Sequence, residues 1–279
     1  MDSTFLTAIF ALSAAVAWGS GDFTGGVIAR RIGVLHTTFV SYAVALIILV
    51  IVALVRLESF PAPVDLMWGA LAGLFGMAGF GFLLRGFATG RMGIVAPVSA
   101  VLATAIPVIF SVFREGLPRP LQLVGFGLAL ISIWLLSRPE KLGGSPAGLG
   151  MALLAGLGFG GFFTALDQIS EDAIFWPIAA GRLAACAAMI LFALGTQQSL
   201  IPQLPPFGLL LLLGVLDIGG NLFFLLAVQT GRLDVAAVLA SLYPGVTALL
   251  AWWIAKEHMA ALQVFGLALA ILSIVLITL

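Results

Sequence analysis

Three polar side chains fall in stretches of this chain that are otherwise apolar. Asp217 lies near the middle of one such stretch, with Asn221 one helical turn later on the same face. Arg182 lies eight residues into another. An ionisable group at membrane depth costs at least about 2.5–3.5 kcal/mol on insertion scales, so such a residue marks function by default. Three readings are open. Arg182 and Asp217 form a structural ion pair, or they meet a solute carboxylate, an ammonium or a coupling proton, or Arg182 snorkels to the interface. Asn221, Ser99 and Tyr243 can hydrogen-bond a zwitterion. Trp18 and Phe163, together with Phe23, Phe162, Trp176 and Tyr243, can wall an aromatic cavity; packing in the core or against lipid is the alternative. Tyr243-Pro244, Ala96-Pro97 and Pro107 put prolines inside apolar segments, where each frees a carbonyl and kinks a helix.

Other chemistries lack their residues. No G-x-x-x-x-G-K-[ST] and no H-E-x-x-H is present, and His36, His258 and Cys186 stand apart. Gly19-Ser20-Gly21 lacks the G-x-S-x-G elbow of a serine hydrolase. No enzyme, metal or cofactor is expected. Cys186 has no second cysteine to pair with and reads as small packing.

The elements that position these residues follow from composition. Of 279 residues, 62% are hydrophobic and 9% charged, against roughly 25% charged in soluble domains. Apolar runs of about 20 residues recur throughout, which predicts transmembrane helices, since lipid leaves no partner for an exposed backbone. The fold class is an all-α membrane protein. Ten spans are predicted, at about 4–24, 34–54, 66–87, 92–113, 119–137, 147–167, 174–194, 206–228, 233–254 and 260–279. Net charge is zero, which excludes the basic surface of a nucleic-acid partner. The expected partners are lipid and a small solute. No Lys or Arg precedes the first apolar run, so that run is read as a span and not as a cleaved signal. Asp22, Arg85, Asp167 and Gln229 are placed near span ends, where charge is cheap.

The chain is also written twice. Thr89-Gly90-Arg91 returns as Thr230-Gly231-Arg232, an offset of 230 − 89 = 141. At the same offset Leu121-Gln122-x-x-Gly125 returns as Leu262-Gln263-x-x-Gly266, and Ser132-Ile133 as Ser273-Ile274. Ala11-Leu12 and Gly19 match Ala152-Leu153 and Gly160. The predicted organisation is a first five-helix repeat over residues 1–141 and a second over 142–279. An odd number of spans makes the second copy enter from the opposite side, giving an inverted pair related by an axis in the membrane plane. Gly69-x-x-x-Gly73 with Gly76 and Gly79, and Gly156-x-x-x-Gly160, are spaced for close helix packing.

Those paired motifs resemble the EamA family of the drug/metabolite transporter superfamily. The resemblance is carried by Ala14-Ala15-Val16-Ala17-Trp18-Gly19, with Phe159-Gly160 in the second copy. It continues through a proline in each fourth span (Pro107, Pro244), an acid after it (Glu115, Glu257), and the Gln-x-x-Gly that opens each fifth span. An arginine early in the second span appears only in the second copy, as Arg182. The resemblance implies a secondary transporter exporting metabolites such as amino acids across a bacterial inner membrane, with both termini in the cytoplasm; a monomer is expected. The aromatic residues are similar to those of YddG-type amino-acid exporters. With a cytoplasmic N-terminus, inside loops hold Arg56, Arg114, Arg119 and Arg232. Outside loops hold Arg30, Arg31, Arg85, Arg91, Arg138, Lys141 and Lys256, so loop charge alone favours the reverse orientation. A multidrug or cation carrier is the nearest alternative, and a channel-like facilitator the alternative of another class.

Overall fold

The computed structural model describes residues 3–89, 92–136, 148–202, 206–256 and 258–279. The predicted boundary between the repeats, at 141–142, lies outside them, as do Arg91, Arg138, Lys141 and Glu257. Among the described residues every regular element is a helix. The first half contributes α1 (Ser3–Ile32), α2 (Val34–Val55), α3 (Pro63–Thr89), α4 (Met92–Glu115) and α5 (Pro120–Leu136). The second contributes α6 (Leu149–Leu166), α7 (Phe175–Thr196), α8 (Phe207–Thr230), α9 (Leu233–Ala240), α10 (Tyr243–Trp253) and α11 (Ala261–Thr278). Taking α9 and α10 as one segment, nine stretches among the described residues are long and apolar enough to cross a membrane. The shorter apolar helix Pro120–Leu136 makes a tenth segment.

The offset of 141 holds in the helix bounds. Val34 and Val55 of α2 map onto Phe175 and Thr196 of α7, and Pro120 of α5 onto Ala261 of α11. Two departures matter. Helix α1 runs two turns past its predicted end at 24, because Gly25 and Gly26 do not interrupt it. It stops at Gly33, whose φ of 84° is left-handed and costs a glycine little. The fourth segment is continuous in the first half despite Pro107. In the second it turns at Ser241–Leu242 and restarts as α10 with Pro244 in its first turn. The two prolines also differ in register, since 244 − 141 is Ala103 and not Pro107.

The helices of the two halves interleave. Helix α1 packs on α8, α9 and α10, and its counterpart α6 packs on α3 and α4. Three equivalent pairs meet each other directly: α2 with α7, α4 with α9 and α5 with α11. Every residue of α9 is buried, which puts it at the centre of the bundle.

The glycine stripes make these crossings possible. A Cβ at Gly69 or Gly73 would run into the backbone of Pro177 or Gly181, and one at Gly158 into the Gly79 backbone. Thus α3 meets α7 with one end and α6 with the other, as close approach of small residues allows. The repeated Gln-x-x-Gly has a structural job in both copies. Gln122 Oε1 accepts from the Arg119 N–H at 3.2 Å, and Gln263 Oε1 from the Ala260 N–H at 3.0 Å, which caps the fifth helix. Gly125 and Gly266 then let α5 and α11 cross, against Ile277 and Leu135–Leu136 respectively. Ser132 Oγ donates to the Gly266 carbonyl at 2.8 Å across that crossing.

Candidate functional site

Arg182 and Asp217 meet. Arg182 Nη2 donates to Asp217 Oδ1 at 2.9 Å, so the arginine does not snorkel. Nε lies 2.8 Å from Oδ2, but without the alignment of a hydrogen bond, so the pair is one directed bond plus a charge contact and not a full fork. Both side chains are largely buried, at 6% and 17% exposure. The guanidinium sits over the Tyr42 ring, 4.4 Å from its centre. Asn221, nearly fully buried, donates through Nδ2 to the Asp217 carbonyl at 2.6 Å and more weakly to Oδ1 at 3.4 Å. Its amide is therefore used to hold Asp217.

Trp18 and Phe163 come together as well. With Phe162 and Phe224 they form a cluster of rings whose centres lie between 4.7 and 5.9 Å apart. Phe163 is 5% exposed and packed within it. The Trp18 ring lies against Gly220, where a Cβ would overlap the indole, and Phe159 stands in the same relation to Gly79. The tryptophan of the first span is thus a knob seated on a glycine of the opposite half. That seat places it one residue from Asn221 in sequence.

The remaining expected residues are more scattered. Tyr243 opens α10 just beyond the turn, and a Cβ on Gly19 would meet its carbonyl. Beside it, the Ser241 hydroxyl is buried without a hydrogen-bond partner among the described residues. Pro244 has no N–H to offer the Ala240 carbonyl four residues back. Ser99 is buried on α4. Trp176 lies elsewhere, edge-to-face with Phe60 and with its indole N–H donating to the Glu58 carbonyl at 3.2 Å. It belongs to one end of the bundle and not to the central rings.

Sequence reasoning passed over Asp22. It was assigned to a span end, yet it sits well inside α1 with nearly three turns still to run. It is exposed, and its charge reaches both Tyr42 on α2 and Tyr243 on α10. The signal that could have found it is the repeat. Its counterpart at 22 + 141 is Phe163, and an acid matched with a buried aromatic is a place where symmetry was broken.

Both chain ends lie on one face of the bundle, and that face is tied together by polar contacts. Glu58 accepts from the Ile174, Phe175 and Trp176 N–H groups at 2.6–3.2 Å, an anion on the N-terminus of α7. Asp65 accepts from the Ser170 N–H and hydroxyl at 2.8 and 3.0 Å. Arg114 does not pair with its neighbour Glu115. It reaches Asp167 at 2.8 Å, while Arg232 lies 3.9 Å from Glu115 and bonds Asp234 and the Gly116 carbonyl. These ties surround a cleft of about 390 Å³ lined by Arg114, Asp167, Ser170 and Gln229. Burial pushes the Asp167 carboxyl up to about 6 against the opposing pull of Arg114. Hydrogen bonds that Arg232 donates to Asp234 shift its guanidinium up, so it stays charged.

Comparison with known proteins agrees with the architecture. No curated protein matches the chain. A solved structure titled only "Crystal structure of protein" superposes with a TM-score of 0.82 at 17% identity, covering 98% of each chain, which is a likeness of fold. The EamA-like transporter family matches twice, over residues 5–138 and 146–279. Two helical copies at a constant offset, a Trp-Gly knob and two capped fifth helices are therefore features of a multi-pass transporter, and the chain belongs to the EamA-like transporter family.

Proposed function

We propose that the chain is a secondary transporter of small amine-bearing metabolites, amino acids foremost, working by alternating access in a bacterial inner membrane. Ten segments arranged as two inverted five-helix copies would supply the two faces of such a carrier, with the solute near mid-depth between them. The observation that carries the reading is the contrast between equivalent places in the two copies. Towards the face bearing the chain ends, Phe162 and Phe163 fill the interior. The equivalent places towards the other face hold Gly21 and Asp22, the latter exposed. With the first face also tied by Glu58, Asp65 and Arg114, this is the arrangement of a carrier closed on one side. Trp18, Tyr243, Arg182, Asp217 and Asn221 border the space between. Phe163 and Ser99 would meet solute when the other side opens.

A second reading, a carrier of organic cations, is favoured by one observation. Arg182 is already neutralised by Asp217 and is not a spare cation for a solute carboxylate. Counterflow in proteoliposomes tests the shared claim. Labelled amino acid or amine should accumulate transiently against excess unlabelled solute inside, and uptake should saturate. Unsaturable flux without counterflow would establish the channel-like facilitator instead.

A further inference from the structure

Building on the organic-cation reading of the carrier, we propose that the Asp22 carboxylate is the counter-ion for a cationic amine in the interior opening between α1, α2 and α10. The site then prefers an amine without a carboxylate over a zwitterion or an anion. Asp22 follows Trp18 by four residues and Gly19 by three, so it projects on the side of α1 that turns inward. Trp18 on that side meets α6 and α8, and Gly19 meets α10. The lipid-facing side is marked elsewhere, by exposed Val16, Ile9 and Phe5. Asp22 is nonetheless exposed, so what it faces is an opening within the bundle.

Repeat symmetry explains the opening. In the second copy Phe162 and Phe163 fill these places, with Phe162 lying over Gly76. In the first copy Gly21 is buried and brings no side chain over α8, a Cβ there meeting Leu213 and Leu216 at an ordinary 3.8 Å, and Asp22 replaces the second ring. The charges in reach of the opening do not cancel. Arg182 and Asp217 neutralise each other, Tyr42 lies under the Arg182 guanidinium, and the Asp22 charge reaches both Tyr42 and Tyr243. None of the ion pairs among the described residues involves Asp22. One surplus negative charge beside two tyrosines and an indole is an environment for a cation.

Three solutes with one aromatic body and different charge separate the possibilities: phenylethylamine, phenylalanine and phenylacetate. Equilibrium dialysis against the purified full-length protein at neutral pH should rank them in that order. The amine should bind at least about tenfold tighter than the zwitterion, a factor equivalent to 1.4 kcal/mol. Asp22→Asn should erase that preference, and Asp22→Glu should keep part of it. Equal or reversed ranking in the wild type, no binding of the amine, or an unchanged preference in Asp22→Asn would each overturn the proposal. Counterflow of whichever solute binds reports separately on the carrier reading, which fails if a bound solute shows none.

Discussion

Phe163 and Asp22 hold the same repeat position on α6 and α1, 163 − 22 = 141, yet one is buried among aromatic rings and the other is exposed. The difference is local, since both helices make the same kind of crossing with the opposite half. Asp22→Phe would give the first copy the ring that closes the second. Flux in proteoliposomes should drop to the level of empty vesicles, while the melting temperature stays constant or rises because a carboxylate is exchanged for an apolar ring. Retained flux would show that the opening at Asp22 is not on the solute path.

Trp18 and Gly220 form the other joint between the halves. A methyl at Gly220 overlaps the indole, so Gly220→Ala should cost about 1–3 kcal/mol as the ring is displaced. Trp18→Ala should cost roughly 3–5 kcal/mol through lost ring packing. The double variant should be less damaging than the sum, since the space vacated by the indole accepts the methyl. Thermal unfolding of the four proteins in one detergent completes the cycle, and strict additivity would contradict the contact.

Much of this was legible in the sequence because helices in lipid must satisfy their own backbone and must be apolar, and because duplication keeps register. Arg182 and Asp217 were visible as charges where none is cheap, and their pairing follows from that cost. Asp22 was not visible, because Gly25, Gly26 and Arg30-Arg31 resemble a linker. Only the packing of α1 against α8 shows that the helix runs on to Ile32. Glu58 and Asp65 were equally hidden. Each lies in or beside a short connection, and the N–H groups they accept from are more than a hundred residues away. The Gln-x-x-Gly motif was seen but its role was not. Its conserved spacing within this chain serves the α5–α11 crossing and a helix cap, and neither touches solute.

Asp167 should make the tied face sensitive to pH. Its carboxyl ionises at about 6 in the fold, against 3.8 when free, chiefly through burial. Between those values the folded protein binds more protons than the unfolded chain, so this group's contribution to stability rises as pH falls from about 6 towards 4 and is flat above 6. Asp167→Asn removes the dependence. The melting temperature of the variant minus that of the wild type should therefore be largest near neutral pH and shrink below 6. A difference that does not change with pH would rule out a buried carboxyl at this position.

Arg182 and Asp217 should behave as a unit. Asp217→Asn leaves a buried guanidinium without its counter-charge, and such half-broken pairs cost roughly 3–5 kcal/mol. Tyr42 and the Asn221 amide remain but supply no negative charge. Replacing both partners, as Arg182→Met with Asp217→Leu, removes two desolvated charges together and should restore the melting temperature to near that of the wild type. Transport distinguishes scaffolding from participation in the solute site. If the pair only holds α7 against α8, the apolar double variant should carry solute at the wild-type rate. If Asp217 also meets the solute or a coupling ion, flux should be lost although stability has returned, and that second outcome is the one expected from its position in the middle of α8, one turn before Asn221.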